Sequence, residues 1–329
     1  MTQTSRLGKL STLNSKELGR VVADLWQDYY ILVVFVVMVI ISAIVSSNFF
    51  SWVNISNVLK QSAVPGIVAL GMLVVILTAG IDLSVGSLVA LTGVLAVGLQ
   101  RQVPLLVALL LAVLVGLAAG AFNGVLVAKR NVPPFIATLG MLVIARGLTF
   151  VYTDGGPIQV TYRGAYNLLG RSNIGPVPTI VIIWFVLSII TSIMLRRTTA
   201  GRTIISLGSN KHAVYLSGIS VSWHEIAVYT FSGLMCAIAG ILLTSRLTIG
   251  TPLMGQLMEL DAIAAVVIGG ASLAGGRGTV WGTIIGVLIL GLISNMLNLM
   301  GVSAFYQDII RGSIILLAVL FNTARTIES

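Results

Sequence analysis

The segment VPLLVALLLAVLVGLAAGAFNGVLVAKR, residues 103–130, decides the fold class of this chain. It carries no charge from Val103 to Ala128, and then Lys129 and Arg130 close it. A helix needs about 20 apolar residues to cross a hydrocarbon core about 30 Å thick, and this run is longer. A membrane β-barrel would show roughly ten-residue alternating strands instead. The rest of the 329 residues is similar: 57% are hydrophobic, 9% are charged, and the mean hydropathy is +1.04. A soluble chain carries about 25% charged residues. So few polar residues cannot cover the surface of globular domains. The 35 glycines follow no strict period and there is no polar excess, which excludes collagen-like and disordered chains.

The apolar content predicts an all-α membrane protein of about ten transmembrane helices. The expected spans are Tyr29–Ser46, Ser62–Thr78, Val85–Leu99, Val103–Ala128 and Phe135–Thr153, then Pro178–Leu195, Glu225–Thr244, Leu260–Gly270, Val280–Leu299 and Phe305–Asn322. Residues 1–27 read as a cytoplasmic tail, 28–322 as the membrane domain, and 323–329 as a second cytoplasmic tail. Ser47-Asn48-Phe49-Phe50 after the first span is no cleavage pattern, so no removed signal peptide is expected.

Lysine and arginine favour the cytoplasmic side. With the N-terminus inside, Arg6, Lys9, Lys16, Arg20, Lys129, Arg130, Arg196, Arg197, Arg202, Lys211, Arg277 and Arg325 fall inside. Only Lys60, Arg101, Arg163, Arg171 and Arg246 fall outside. This bias predicts that both termini are cytoplasmic, and it accounts for the net charge of +9. No basic segment interleaved with aromatics suggests nucleic acid as a partner. The sole cysteine, Cys236, cannot form an internal disulfide.

Enzymatic signatures are missing. The closest approach to a phosphate loop, Gly270 to Arg277, has Gly276 where the pattern G-x-x-x-x-G-K-[ST] needs lysine. His212 and His224 are the only histidines, and both fall in one cytoplasmic loop. No cluster has metal-ligand spacing. The chain is therefore expected to be neither an enzyme nor a holder of a cofactor.

Three features remain. Asp82, Arg146, Glu259, Asp261, Asp308 and Arg311 are ionisable and fall at membrane depth, where such groups usually face a bundle interior or a watery path. Helix capping is the competing role for the acids, and pairing inside the bundle for the arginines. Second, Gly116/Gly120/Gly124 and Gly278/Gly282/Gly286 are spaced for close helix packing. Residues 78–87 and 269–278 are expected to interrupt helices, as transporters do along their paths. Third, Gly116, Asn123, Val132, Phe135 and Arg146-Gly147 are echoed by Gly286, Asn295, Val302, Phe305 and Arg311-Gly312. An offset of five spans makes the two copies an inverted internal repeat.

The segment 196–224 is the longest internal cytoplasmic stretch, and it reads as a folded docking element competing with a solvated linker.

These residues resemble the permease subunits of bacterial ABC sugar importers, in particular the ribose permease family. The likeness rests on Leu77 to Ser87 (LTAGIDLSVGS), Val132 to Gly140 (VPPFIATLG), Arg197 to Ile219, Glu259 to Val267 (ELDAIAAVV) and Gly269 to Gly276 (GGASLAGG), in order. The resemblance implies a type II-like ABC importer permease in the bacterial inner membrane. It also implies a second permease copy, a cytoplasmic ATPase that binds ATP and Mg, and a periplasmic sugar-binding protein. The loop would carry the coupling helix, which places ATPase contact on Gly201, Arg202, Gly208, Asn210, Ala213, Gly218 and Ile219. A neutral sugar needs hydrogen-bonding groups rather than a counter-charge. The expected path residues are Asp82, Ser84, Asn123, Thr138, Arg146, Asn295, Gln307 and Arg311. The alternative is an ion-coupled secondary transporter with its ion site at Asp82 or Glu259.

Overall fold

The computed structural model describes residues 31–328, so the N-terminal tail, 1–27, lies outside the described residues. Helix α1 (Ile31–Val45) is followed by α2 (Trp52–Leu77) and the shorter α3 (Val85–Gly98), which a 3₁₀ turn extends over Leu99–Arg101. Next come α4 (Leu105–Arg130) and α5 (Pro134–Thr153). Strand β1 (Ile158–Gln159), α6 (Arg163–Gly170), β2 (Asn173–Ile174) and β3 (Val177–Pro178) form the connection to α7 (Thr179–Arg197). Two short helices, α8 (Thr199–Ser209) and α9 (Lys211–Leu216), precede α10 (Val221–Leu247) and β4 (Ile249–Gly250). The chain ends with α11 (Met258–Ile268), α12 (Val280–Leu299) and α13 (Ala304–Glu328). Strand β1 pairs antiparallel with β4, and β2 with β3.

Helices α2, α4, α5, α7, α10 and α12 are long and apolar enough to cross a membrane, while α1 and α3 are shorter apolar helices. Their boundaries follow local chemistry. Asn131 closes α4 in the left-handed conformation that asparagine tolerates, with its N–H on the Leu126 carbonyl. Pro134 then opens α5, where a missing N–H costs nothing. Helix α2 begins ten residues before the span expected from hydropathy, because Ser51 caps it by accepting from the Asn54 N–H. Pro65 sits inside it.

Helices α2 and α10 form the centre. In α2 every residue from Gly66 to Leu77 is buried. The outer helices keep an apolar face exposed: Leu106, Leu110 and Leu114 on α4, and Phe185, Ile189 and Ile193 on α7. One-turn spacing of exposed aliphatic residues is the surface a lipid-facing helix presents. The glycine stripe of α4 is a packing seam. Gly116 lies on Gly233, Gly120 on the Tyr229 backbone, and Gly124 on the Ile226 backbone, all on α10. On α12, Gly282 and Gly286 pack in the same way against Gly269 and Ala265. Without a hydrophobic force between helices in lipid, such close approach supplies the attraction through dispersion.

Candidate functional site

Thr78 to Ser84 leave the helical ladder between α2 and α3. The Asp82 side chain, fully buried, accepts from the Ser84 hydroxyl (2.5 Å), the Ser84 N–H (3.0 Å) and the Ser232 hydroxyl of α10 (2.8 Å). Asn123 of α4 donates to the Ser84 hydroxyl at 3.1 Å. Thr138 of α5 donates to the Ile81 carbonyl at 3.2 Å. Four of the residues expected along a path thus meet in one closed polar node that joins α3, α4, α5 and α10. Most of their hydrogen-bonding capacity is met within the protein, while the buried Asn123 Oδ1 has no partner. Ser232 lies 11 residues into α10, so at 1.5 Å per residue the node sits about 16 Å along that helix.

A second break follows α10. Gly93 of α3 packs on Gly240, and Gly250 packs on Val94, but by Gly255 the chain has come back along α3 to the Gly86 backbone. Residues 251–257 therefore run into the bundle, and α11 starts there as an 11-residue half-helix. Hydropathy does not reveal this break, since 251–257 resembles an ordinary loop. Arg146 of α5 holds it, donating to the carbonyls of Pro252 and of Met254 (2.7 Å). An arginine without a cap to serve finds its partners in irregular backbone.

Irregular backbone at such depth needs protein or a watery cavity beside it. A cleft of about 570 Å³ opens next to Gly255 and Gln256. Its walls are Asn57, Lys60, Gln61, Ser62 and Pro65 of α2, Arg246 of α10, Asp261 of α11, Gly291 and Ser294 of α12, and Arg311 of α13. Arg311 lies 3.9 Å from both Asp261 and Asp308, and donates to the Ser294 hydroxyl at 3.0 Å. Arg246 donates to the Lys60 carbonyl at 2.7 Å. Of the expected path residues, Arg311 is the one among the described lining residues. Asn295 instead exchanges hydrogen bonds with Asn54 (2.8 and 3.2 Å), and Gln307 donates to Asn298 (2.8 Å) and the Val302 carbonyl (2.9 Å). Asn57, Gln61 and Gln256 carry no motif, and no signal in the sequence alone brings them together.

The cleft lies on the N-terminal half of α2. At its other end, about 25 Å further for the 17 residues from Lys60 to Leu77, α2 meets α8. The Gly208 backbone presses on the Leu77 carbonyl and on Gly275–Gly276, and the Gly276 N–H donates to the Leu77 carbonyl at 3.0 Å. A Cβ on Gly208 has no space. Thr198 caps α8 by accepting from the Gly201 N–H (3.1 Å), and Gly201 packs on the Met194 and Leu195 backbone. Asn210 ends α8 and caps α9, accepting from the Ala213 N–H at 2.9 Å. Gly218, with φ +77°, lets the chain turn after α9. Arg202, Asn210, Ala213 and Ile219 line a groove between the two short helices, and Tyr215 and Leu216 stand exposed beside it. Lys211 pairs with Glu225 at 2.6 Å and ties α9 to α10.

Exposed aliphatic helix faces, helices broken inside the bundle and a polar cleft are the arrangement that membrane transport proteins use. The chain belongs to the family described as branched-chain amino acid transport system / permease component, which matches residues 54–319. It is 47% identical to the ribose import permease protein RbsC of Escherichia coli K12 over 89% of this chain and 93% of that protein. It is 43% identical to the ribose import permease protein RbsC of Bacillus subtilis, covering 88% and 91%. The D-allose transport system permease protein AlsC of E. coli K12 is 37% identical, covering 90% and 92%. No solved structure matches.

Proposed function

We propose that this chain is the permease subunit of an ATP-driven ABC importer for a monosaccharide, ribose or a related sugar, in the bacterial inner membrane. The observation that carries this is the identity to sugar permeases along nearly the whole length of both chains. A shared substrate class needs shared lining and shared docking, and both are spread over many elements.

Our reading counts ten membrane segments in two inverted halves with both termini cytoplasmic; among the described residues six helices are long enough to cross, and the short α3 and α11 are taken as half-spans. A five-span offset pairs α2 with α10, at 26 and 27 residues, and the short α3 with the short α11. Both short helices begin inside the bundle after a break. With this orientation the cleft faces the periplasm and α8–α9 face the cytoplasm.

The chain works as one of two permease copies, with the sugar delivered by a periplasmic binding protein and ATP and Mg held by a cytoplasmic ATPase. The α8–α9 segment is the coupling element. Its groove at Arg202, Asn210, Ala213 and Ile219, with Tyr215 and Leu216 exposed, suits a protein partner. Gly208 then passes movement of that element to the end of α2 through backbone contact. Sugar entering the cleft meets Arg311 and the α2 amides, while the Asp82 node beneath holds four helices together.

The test is reconstitution of the chain with its ATPase and binding protein in liposomes. Uptake of labelled ribose should require ATP and vanish with an ATPase that cannot hydrolyse it. Uptake by this chain alone on an ion gradient would instead establish the secondary-transporter alternative.

A further inference from the structure

We propose that Trp184 of α7 is a positioning residue for transport: it sets a bend in α2 at Pro65, and its indole N–H bonds an α2 carbonyl in the state that follows ATP binding. This rests on the importer reading above and deepens it. Pro65 lies inside α2 and has no N–H, so it cannot serve the Gln61 carbonyl four residues back. Helix kinks concentrate at such positions. Gly66 follows, and the Trp184 indole rests on it, with Nε1 and Cε2 where a Cβ would stand. A helical Cβ points back over the preceding turn, so Nε1 faces the turn at Gln61 and Ser62. Yet Trp184 is 3% exposed and its Nε1 has no hydrogen-bond partner in the protein. The Ser62 hydroxyl, closed in against Gly291 of α12, has none either. Serines and threonines within these helices usually return their hydroxyl to a carbonyl four residues back, as Ser42, Thr92, Ser188 and Thr191 do. Buried donors left unpaired are costly. Two of them beside one proline turn mark a segment whose hydrogen bonding is incomplete in this conformation. A change of bend that tilts the Gln61 carbonyl outward gives the Trp184 N–H its acceptor.

The joint lies between the coupling element and the cleft. Lys60 and Gln61, just before it, wall the cleft, and Leu77, beyond it, meets Gly208 of α8. Helix α7 runs into α8 through a fixed corner. There the Thr198 hydroxyl donates to the Met194 carbonyl at 2.6 Å, and Gly201 packs on the Met194 and Leu195 backbone. Movement of α8 therefore carries α7 with it and presses on the end of α2 at the same time. Trp184 stands about 20 Å along α7 from its end at Arg197, at 1.5 Å per residue. It bears on α2 at the turn where proline has removed a backbone tie. Bending there shifts Lys60 and Gln61 against the rest of the cleft wall, and the new Trp184 bond holds the bend. Close-packed helices change between discrete arrangements rather than deforming evenly, and a hinge of this kind supplies two.

The experiment replaces Trp184 by benzothienylalanine in the complete reconstituted transporter, with labelled ribose as the probe. This side chain keeps the bicyclic shape and exchanges the N–H for sulfur. It breaks no hydrogen bond of the present structure, so assembly, melting temperature and basal ATPase rate should match the wild type. ATP-driven uptake should fall about three- to tenfold, the value of one hydrogen bond made only in the other state. Pro65→Ala, which returns an N–H to α2, is the second variant. Its melting temperature should equal or exceed that of the wild type while its uptake falls. Unchanged uptake with benzothienylalanine overturns the role of Trp184, and unchanged uptake in Pro65→Ala overturns the hinge; either leaves the importer standing. A fall in uptake that comes with loss of assembly or of basal ATPase assigns these residues a structural role and also overturns the proposal. A wild-type complex that imports no ribose with ATP sinks the importer reading itself.

Discussion

Asp82 illustrates why a charge at depth does not by itself mark a path. Its carboxylate is wrapped by Ser84 and Ser232, and Ser84 is held in turn by Asn123. Removing one donor leaves buried acceptor capacity unmet. Ser232→Ala should therefore destabilise the bundle by about 1–2 kcal/mol, seen as a lower melting temperature of the purified complex. A melting temperature equal to wild type would show that the node contributes little. Asn295→Leu should act similarly, because it orphans the buried side of Asn54. Nothing in the residue types separated these internal ties from the cleft groups. Asp82 and Ser84, Asn123, and Thr138 lie on three different stretches of chain, and only packing shows that they meet.

At the scale of elements, glycine does two different jobs. On α4 the i, i+4, i+8 stripe is a flat seam against α10, and its spacing alone announces it. Gly120→Leu should prevent the helices from closing and abolish assembly, measured by the yield of folded protein in detergent. Gly208 instead sits at a single crossing of α8 with the end of α2 and the 275–276 backbone. Gly208→Ala forces that joint apart by a Cβ without touching the α8–α9 groove. ATPase binding should persist, while stimulation of ATP hydrolysis by the loaded binding protein falls at least severalfold. Stimulation at the wild-type level would remove Gly208 from the coupling route.

For the whole molecule, the orientation is open to direct measurement. Cys236 is buried, so Cys236→Ser gives a background for introduced thiols. Lys60→Cys, at the cleft end of α2, should react with an impermeant reagent from outside intact cells. His212→Cys, on α9, should react only after the membrane is opened. Labelling of His212→Cys in intact cells would reverse the proposed topology.

The sequence by itself determined the class of this protein, and its basic asymmetry sets the expected direction of its helices. Apolar length, charge scarcity and basic asymmetry depend on composition along the chain, and lipid reads composition directly. The two short helices within 196–224 and a break after Leu77 were also visible, because capping residues and glycines act locally, although the break expected over 78–87 ends at Ser84. Tertiary structure alone decided where the cleft lies. Residues 251–257 enter the bundle only because Gly255 fits against Gly86 and Arg146 ties down the carbonyls of Pro252 and Met254. Gln256 reaches the cleft wall formed by Gln61 and Arg311 through that re-entry. Such contacts join positions up to about 250 residues apart, and no local propensity encodes which of many buried polar groups will meet.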